Sequence, residues 1–395
     1  MFTNIHIEKF RLCDDVLIED TRAVVALVGR NGAGKSNILQ AIAQTARLAT
    51  SPDATGLAEQ LRPGLRSTVE LDFKAESASY RYRLAFVQVA GTTRPTPQET
   101  LSRKEGDQYV QIVYRHGSAA AITGRAEILA IGEYSPCLTA ISTLLPATDQ
   151  AVIDIKPARS FLSSVRYYPL NEPTEAGKED RIVAESEYAK WVSAYESTGN
   201  SDDLLMRIIH MNQKRPDDFA AFEHFVGPKS LGLIDRIVVT KIAASQRTPT
   251  APAEEQFYYL VRFSPGRGAT AGPPLSVGYN ALSLGTRRVI RLLVSMLFDA
   301  SSVMLLEQPE DSLHQGLTKK VIGILRTNAL PTQLIFSSHS SALLDKLLPE
   351  EVRLVSLHDG FTVVRKLTEQ EIKMARGFMN EEGTLYDFIE TVRED

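Results

Sequence analysis

A chain of 395 residues, 43% apolar and 23% charged, lies in the ordinary globular range, which excludes wholesale disorder and suits one large α/β body with an insertion. A net charge of −4 excludes a general attraction to phosphate backbones, so any nucleic acid must be met by a local patch or through a partner. The two cysteines, Cys13 and Cys137, lack CxxC spacing, which excludes a disulfide framework or a zinc site and fits a reducing cytosol.

The opening "MFTNIHIEKFRLCDD" alternates apolar and polar residues and turns acidic, unlike a signal peptide. No later apolar run is long enough to span a bilayer, so the expectation is a soluble, cytoplasmic protein with no membrane partner. Strand alternation runs from Ile5 to Glu19, and "AVVALVG", Ala23 to Gly29, is the continuous apolar run of a strand buried on both faces. A Gly-rich turn follows. The helix from Lys35 places Ile38, Ile42 and Leu48 on one face. "STVELDF", "YRYRLAFVQV" and "YVQIVYR" read as antiparallel strands, split by a Pro/Thr loop near Arg94 to Pro97.

From about Phe161 to Ile234 the pattern changes to short helical candidates, "EYAKWVSAYESTG", "DDLLMRIIHMNQ" and "DDFAAFEHF", separated by Gly, Asn and Pro. No heptad register persists, which excludes a long coiled-coil arm. Strands return at "DRIVVTKIAA" and "QFYYLVRFS", flanked by "SQRTPTAPAEE" and "SPGRGATAGPPLSVG", which read as flexible. The last third alternates helix and strand: "TRRVIRLLVSMLF", "SVMLL", "GLTKKVIGILR", "QLIFS", "SALLDKLL", "VRLVSL". That alternation predicts a parallel, doubly wound sheet. The terminal "TLYDFIETV" is a helix with Leu385, Phe388, Ile389 and Val392 on one face, a core face or a docking surface, with core favoured.

"GRNGAGKS", Gly29 to Ser36, matches GxxxxGK[ST] between a buried strand and a helix, the context that confirms a phosphate-binding loop. By chance a chain of this length would contain the pattern at about the one per cent level. Gly29, Gly32 and Gly34 let backbone N–H groups face phosphate oxygens, with Asn31, Ala33 and Asn37 in the same cradle. Lys35 supplies a point charge to the β and γ phosphates, and Ser36 an oxygen to Mg²⁺. ATP and Mg²⁺ are therefore the expected ligands.

"GRNGAGKSNILQAI" and the opening "IHIEKFR" resemble the ABC-type ATPases of the RecF, SMC and overcoming-lysogenization-defect group. The resemblance implies an α/β ATPase head with a parallel P-loop sheet, an antiparallel β flank and a short helical insertion. It implies residues 1–160 as the N-terminal half of the head, 161–234 as the insertion and 235–395 as the C-terminal half. Such heads pair face to face and close each site with the partner's signature segment. "LSLGTRR" supplies that segment, so Ser283 and Gly285 inherit the contact with the γ-phosphate of the opposite subunit. Val289, Leu292, Leu293, Met296 and Leu297 form the core-facing stripe of the following helix. An ordinary N-cap on a buried helix would carry the same letters, but the segment stands just upstream of the acidic strand, as it does in the family.

In "MLLEQPEDSLH" the resemblance makes Glu307 the carboxylate that orients Mg²⁺ and places Gln308 at the position of the general base. Glu310, Asp311 and His314 fall in the partner-facing segment, although a solvated turn explains Glu310 and Asp311 equally well; Gln315 replaces a frequent proline. Gln308 departs from the family's glutamate, through either a Glu-to-Gln change made to trap a bound state, which the single departure favours, or a natural slow switch. "LIFSSHSSALLD" resembles the strand-end Ser/Thr-His-Ser, which makes His339 the γ-phosphate switch. The likeness covers about residues 1–60 and 275–350; the Q-loop glutamine has no assignment.

The resulting expectation is an ATP-binding, head-to-head dimer or higher oligomer, an ATPase slowed by Gln308. It would serve antiphage defence or DNA maintenance beside a separate nuclease or effector, with DNA as a candidate partner. The stretch after His339 is shorter than the roughly 100 residues a folded catalytic domain needs. A RecF-like DNA-binding clamp is the alternative. A transporter subunit fits poorly because "LSLGT" stands in place of LSGGQ, and no NKxD-type motif points to GTP.

Overall fold

The computed structural model describes residues 1–51, 66–87, 96–132, 135–169, 180–198, 203–246, 254–266, 275–328, 331–381 and 383–392. One compact unit comprises residues 1–170, 301–310 and 329–395; a second comprises 171–300 and 311–328.

The first unit begins with β1 (Phe2–Phe10), β2 (Cys13–Ile18), β3 (Val24–Val28) and α1 (Lys35–Thr50). There follow β4 (Ser67–Ala75), β5 (Ala78–Val87), β6 (Thr96–Glu105), β7 (Gln108–His116), β8 (Ala119–Ile122) and β9 (Ile128–Ala130), then α2 (Cys137–Leu144), α3 (Gln150–Ser163) and β10 (Val165–Pro169). The second unit holds β11 (Val183–Ala184), α4 (Glu185–Thr198), α5 (Leu204–Lys214), α6 (Pro216–Val226), β12 (Ile234–Gln246), β13 (Glu254–Pro265) and α7 (Leu284–Phe298). The chain returns to the first unit for β14 (Val303–Glu307), contributes α8 (Gln315–Asn328) to the second, and finishes in the first. The closing elements are β15 (Gln333–Ser338), α9 (Ser341–Leu344), β16 (Val352–His358), β17 (Phe361–Lys366), α10 (Glu369–Glu381) and α11 (Leu385–Val392).

The first unit contains the expected parallel sheet and antiparallel flank. Its six-stranded sheet runs β10-β14-β15-β3-β16-β17, parallel except for β17. Every residue of β3 and β15 is buried, as strands covered on both faces are. The eight-stranded sheet runs β2-β1-β4-β5-β6-β7-β8-β9 and is antiparallel throughout. Gln333, fully buried at the start of β15, joins the two sheets. Its Oε1 accepts the Phe2 N–H at 2.8 Å, and its Nε2 donates to the Arg22 carbonyl at 2.8 Å. Phe73 stacks on Phe161 of α3 at 4.6 Å, with Phe2 edge-on to Phe161 at 5.2 Å. α1 buries Ile38, Ile42 and Leu48 as its periodicity predicts. Leu385, Phe388 and Ile389 of α11 are core residues, whereas Val392 is half-buried.

The second unit pairs the β12–β13 hairpin with β11 and packs α4, α5 and α6 against it, with α7 against α5 and α6. Asp203 caps α5, accepting the Met206 N–H at 3.1 Å. Its core is aromatic: Trp191 stacks on Tyr195 at 5.2 Å, while His210 lies 5.6 Å from Trp191 and 5.8 Å from Phe298.

The structure differs from the sequence reading at several elements. Residues 165–169, assigned to the helical insertion, form the parallel edge strand β10 beside β14. β6 starts at Thr96, inside the expected Pro/Thr loop. Pro97 is tolerated because it lies near the strand's start, before pairing with β7 begins at Gln98. Helices α2 and α3 are missed by the sequence reading, although α3 buries Ala151, Ile155, Ala158, Phe161 and Leu162 at helical spacing. α9 stops at Leu344 rather than Leu348: Lys346 and Leu347 bond the carbonyls three residues back, and Leu348, before Pro349, is extended at φ −87°, ψ 146°. The centres of both segments read as flexible lie outside the described residues.

Candidate functional site

Parallel order and register decide where the chemistry collects. β15 lies between β14 and β3, with Glu307 opposite Ser337 and Ser338 opposite Val28. The chain therefore leaves three adjacent carboxyl ends as Gln308, His339 and Gly29. Open parallel sheets bind ligands at such ends.

The loop after β3 is tightly fitted. Gly34 has φ +98°, a left-handed conformation, and a Cβ there would lie 2.0 Å from Thr362 Oγ1. Thr362, buried in β17, donates from that hydroxyl to the Ala33 carbonyl at 3.0 Å. Glycine at 34 is thus demanded twice, by backbone hand and by the approach of β17. Lys35 is 5% exposed, and its Nζ donates to the carbonyls of Gly29 at 2.7 Å and Arg30 at 2.8 Å. These bonds keep the ammonium on the inner curve of the loop. Asn31 and Gly32 are exposed, Ala33 is buried, and Asn37 Oδ1 accepts from Arg11 Nη1 at 3.3 Å.

Glu307 is bonded at both carboxylate oxygens, to the Ser36 hydroxyl at Oε1 and to the Tyr167 hydroxyl, 2.6 Å away, at Oε2. A serine hydroxyl and a carboxylate in contact form a hard-oxygen donor pair suited to Mg²⁺, which typically takes one or two protein ligands and completes its shell with phosphate and water. Gln308 has φ +44° immediately before Pro309, a conformation unfavourable for a non-glycine residue. Its N–H is held by the Ser337 carbonyl and hydroxyl, both at 3.1 Å.

Glu310 is buried rather than part of a solvated turn. Its Oε1 accepts from the Ser338 hydroxyl at 2.7 Å and the His339 N–H at 3.0 Å, and lies 3.7 Å from His339 Nδ1. His339 itself is exposed. The strand ends thus bring together Gly29 to Asn37, Glu307, Gln308, Glu310 and His339.

Ser283 and Gly285 belong to the second unit. Ser283 is the exposed N-cap of α7, its Oγ accepting the Thr286 N–H at 3.2 Å. A Cβ on Gly285 would lie 2.6 Å from the Ser312 carbonyl, and Arg288 donates to the Ser312 hydroxyl at 3.1 Å while lying 3.9 Å from Asp311. The signature turn and residues 311–312 are therefore packed together. Val289, Leu292 and Leu293 are buried as expected, but Met296 and Leu297 are half-buried and Phe298 takes the core position. His314 caps α8, its Nδ1 accepting the Leu317 N–H at 3.2 Å.

The sequence reading missed Tyr167, Thr362, Arg11 and Gln40 around this site. Tyr167 and Thr362 are brought in by strand pairing, Arg11 by the β1–β2 turn, and Gln40 by the helix α1 that follows the loop.

Residues 264–345, which include Ser283, Glu307 and His339, match the family described as "AAA domain, putative AbiEii toxin, Type IV TA system". No curated protein matches the chain. Among solved structures, an SMC head bound to the C-terminal winged-helix domain of ScpA is similar at TM-score 0.52 and 15% identity, covering 94% of this chain and 99% of that one. The SMC head of Thermotoga maritima gives 0.43 at 15% identity, with 93% and 99% covered. A Pyrococcus furiosus SMC head with an extended coiled coil, bound to the C-terminal domain of ScpA, gives 0.44 at 12% identity, with 96% and 99% covered. No helix among the described residues is long and apolar enough to cross a membrane. The first of these likenesses shows that the chain has the fold of an SMC head domain.

Proposed function

We propose that the chain binds ATP with Mg²⁺, pairs head to head in its nucleotide-bound form, and hydrolyses ATP slowly because Gln308 stands at the general-base position. The observation that carries this reading is the junction of Ser36 with Glu307, which ties the phosphate-binding loop to the acidic end of the neighbouring strand set. Gly32, Ala33, Gly34 and their neighbours Asn31 and Asn37 would surround the phosphates. Lys35 would turn its ammonium from the loop carbonyls to phosphate oxygens. Ser36 and Glu307 would hold Mg²⁺, which when bound neutralises phosphate charge.

Glutamine can hydrogen-bond a water but cannot take its proton as a carboxylate does, and losing a positioned base typically slows chemistry by about 10²- to 10⁴-fold. His339 would report the γ-phosphate, its N–H fixed by Glu310. Ser283 and Gly285 would complete the partner's site, for which an exposed helix N-terminus is suited. The helices α4 to α6 are the insertion in this reading, with the head's halves on either side in sequence.

The role proposed is a cytoplasmic switch in antiphage defence or DNA maintenance acting through a separate nuclease or other effector. The matched family's description names a putative AbiEii toxin of a type IV TA system, and the head that binds a ScpA domain supports a protein partner. Lys35→Ala should abolish ATP affinity in a folded protein. Calorimetry that finds ATP binding unchanged in that variant contradicts the assignment.

A further inference from the structure

We propose that Tyr167 is a positioning residue for Glu307, presenting its carboxylate to the metal and phosphate groups through a hydrogen-bond relay of fixed polarity that begins at Arg11. The inference rests on the reading of Glu307 as the metal-side carboxylate and adds a residue that no motif assigns.

Strand pairing supplies the reach. Tyr167 in β10 lies opposite Leu305, two residues before Glu307 in β14, so both side chains leave the same face of the sheet. The offset is about 6.6 Å along a parallel strand. A phenol spans it; a serine or threonine hydroxyl does not. The Tyr167 hydroxyl meets Glu307 Oε2 at 2.6 Å while Ser36 occupies Oε1, so the carboxylate is gripped at both oxygens and its terminal torsion is fixed.

Polarity follows from the donor inventory. Arg11 only donates, so the Gln40 group facing its Nη1 is the amide oxygen, Oε1. That orientation leaves Gln40 Nε2 toward the Tyr167 oxygen, at 3.4 Å. With Gln40 donating to it, the tyrosine oxygen acts as acceptor there and turns its only proton to Glu307. Arg11 is steadied by a second bond, to Asn37 Oδ1 at 3.3 Å. The turn between β1 and β2 thereby orients a carboxylate on another sheet. Partners that orient a metal-side group typically change metal affinity by 10- to 100-fold when removed.

The test compares the parent protein, Tyr167→Phe and Gln40→Glu. Tyr167→Phe deletes only the hydroxyl; Gln40→Glu keeps the Arg11 contact but places an acceptor against the tyrosine, drawing its proton away from Glu307. Binding of a fluorescent ATP analogue is measured in EDTA and across a Mg²⁺ titration, with melting temperature as a control for folding. Both variants should keep metal-free affinity within about twofold and need roughly tenfold more Mg²⁺ for half-saturation, the low end of that range. Unchanged Mg²⁺ requirement in folded Tyr167→Phe overturns the positioning role. An effect in Tyr167→Phe with none in Gln40→Glu overturns the relay. Parent protein that binds no nucleotide, or Lys35→Ala that binds as the parent does, overturns the underlying site reading and is distinguishable because it appears without the Tyr167 variant.

Discussion

The two units hold their functional residues by different physics. In the first, the candidate groups sit at the ends of fully buried parallel strands, and backbone and side-chain bonds set them before any ligand arrives: Gly34 is fixed by β17, Gln308 by Ser337, and Glu307 by Ser36 and Tyr167. In the second, Ser283 is an exposed cap on a helix whose other end is anchored in an aromatic and ionic core. The contrast teaches that groups at buried strand ends are fixed by neighbouring strands, whereas an exposed cap such as Ser283 is held by bonds within its own helix turn.

The largest effect that would break this contrast lies in the second unit's core. Arg207 and Asp299 are buried 3.3 Å apart, and Arg207 also lies 5.4 Å from the centre of the Phe298 ring. Arg207→Leu removes the cation 3.3 Å from the buried Asp299 carboxylate, and breaking such a buried pair typically costs about 3–5 kcal/mol. Chemical unfolding followed by the fluorescence of Trp191, the chain's single tryptophan, should show that loss. An unchanged midpoint would mean that the pair is not what anchors α7.

A smaller effect separates the two meanings of Ser283. Ser283→Ala removes a cap worth about 1 kcal/mol whether or not the turn meets a partner. Ser283→Arg should in addition abolish ATP-dependent assembly, which nucleotide binding otherwise stabilises by mass action. Light scattering that shows the same ATP-dependent assembly in parent and Ser283→Arg would leave the serine as a cap alone.

The smallest effect is a pH dependence. Burial, followed by the nearby charges of Arg215 and Lys214, lowers the His210 pKa below its ordinary value. The unfolded chain then takes up the proton first as pH falls. The stabilising contribution is complete above the ordinary histidine range, near 6.5, and is lost as pH drops through the lowered folded value. Unfolding midpoints should therefore fall in mildly acid buffer, and His210→Phe should flatten that dependence. The same slope in parent and variant would assign the acid sensitivity to another group.

Legibility in the sequence followed the same division. "AVVALVG", "SVMLL" and "QLIFS" were readable because strands buried on both faces leave no choice but continuous apolar residues. "GRNGAGKS" was readable because left-handed backbone and a helix N-terminus need glycine and a hydroxyl at fixed spacing. β10 was hidden: "VRYYP" is half-buried along its whole length and resembles a loop until β14 is found beside it. Tyr167 was hidden for the same reason, since its role arises from strand register rather than local spacing. Glu310 shows a different limit, because acidic letters in a turn say nothing about whether Ser338 and His339 will fold over them.

Replacing Gln308 by glutamate tests the central claim most directly. The backbone at 308 is held by Ser337, so the substitution changes the side-chain terminus and leaves the strand end in place. Steady-state phosphate release should rise at least roughly tenfold in Gln308→Glu, below the usual contribution of a general base, with ATP affinity nearly unchanged. Equal rates of phosphate release in the two proteins would contradict the account, because residue 308 would then not occupy the base position.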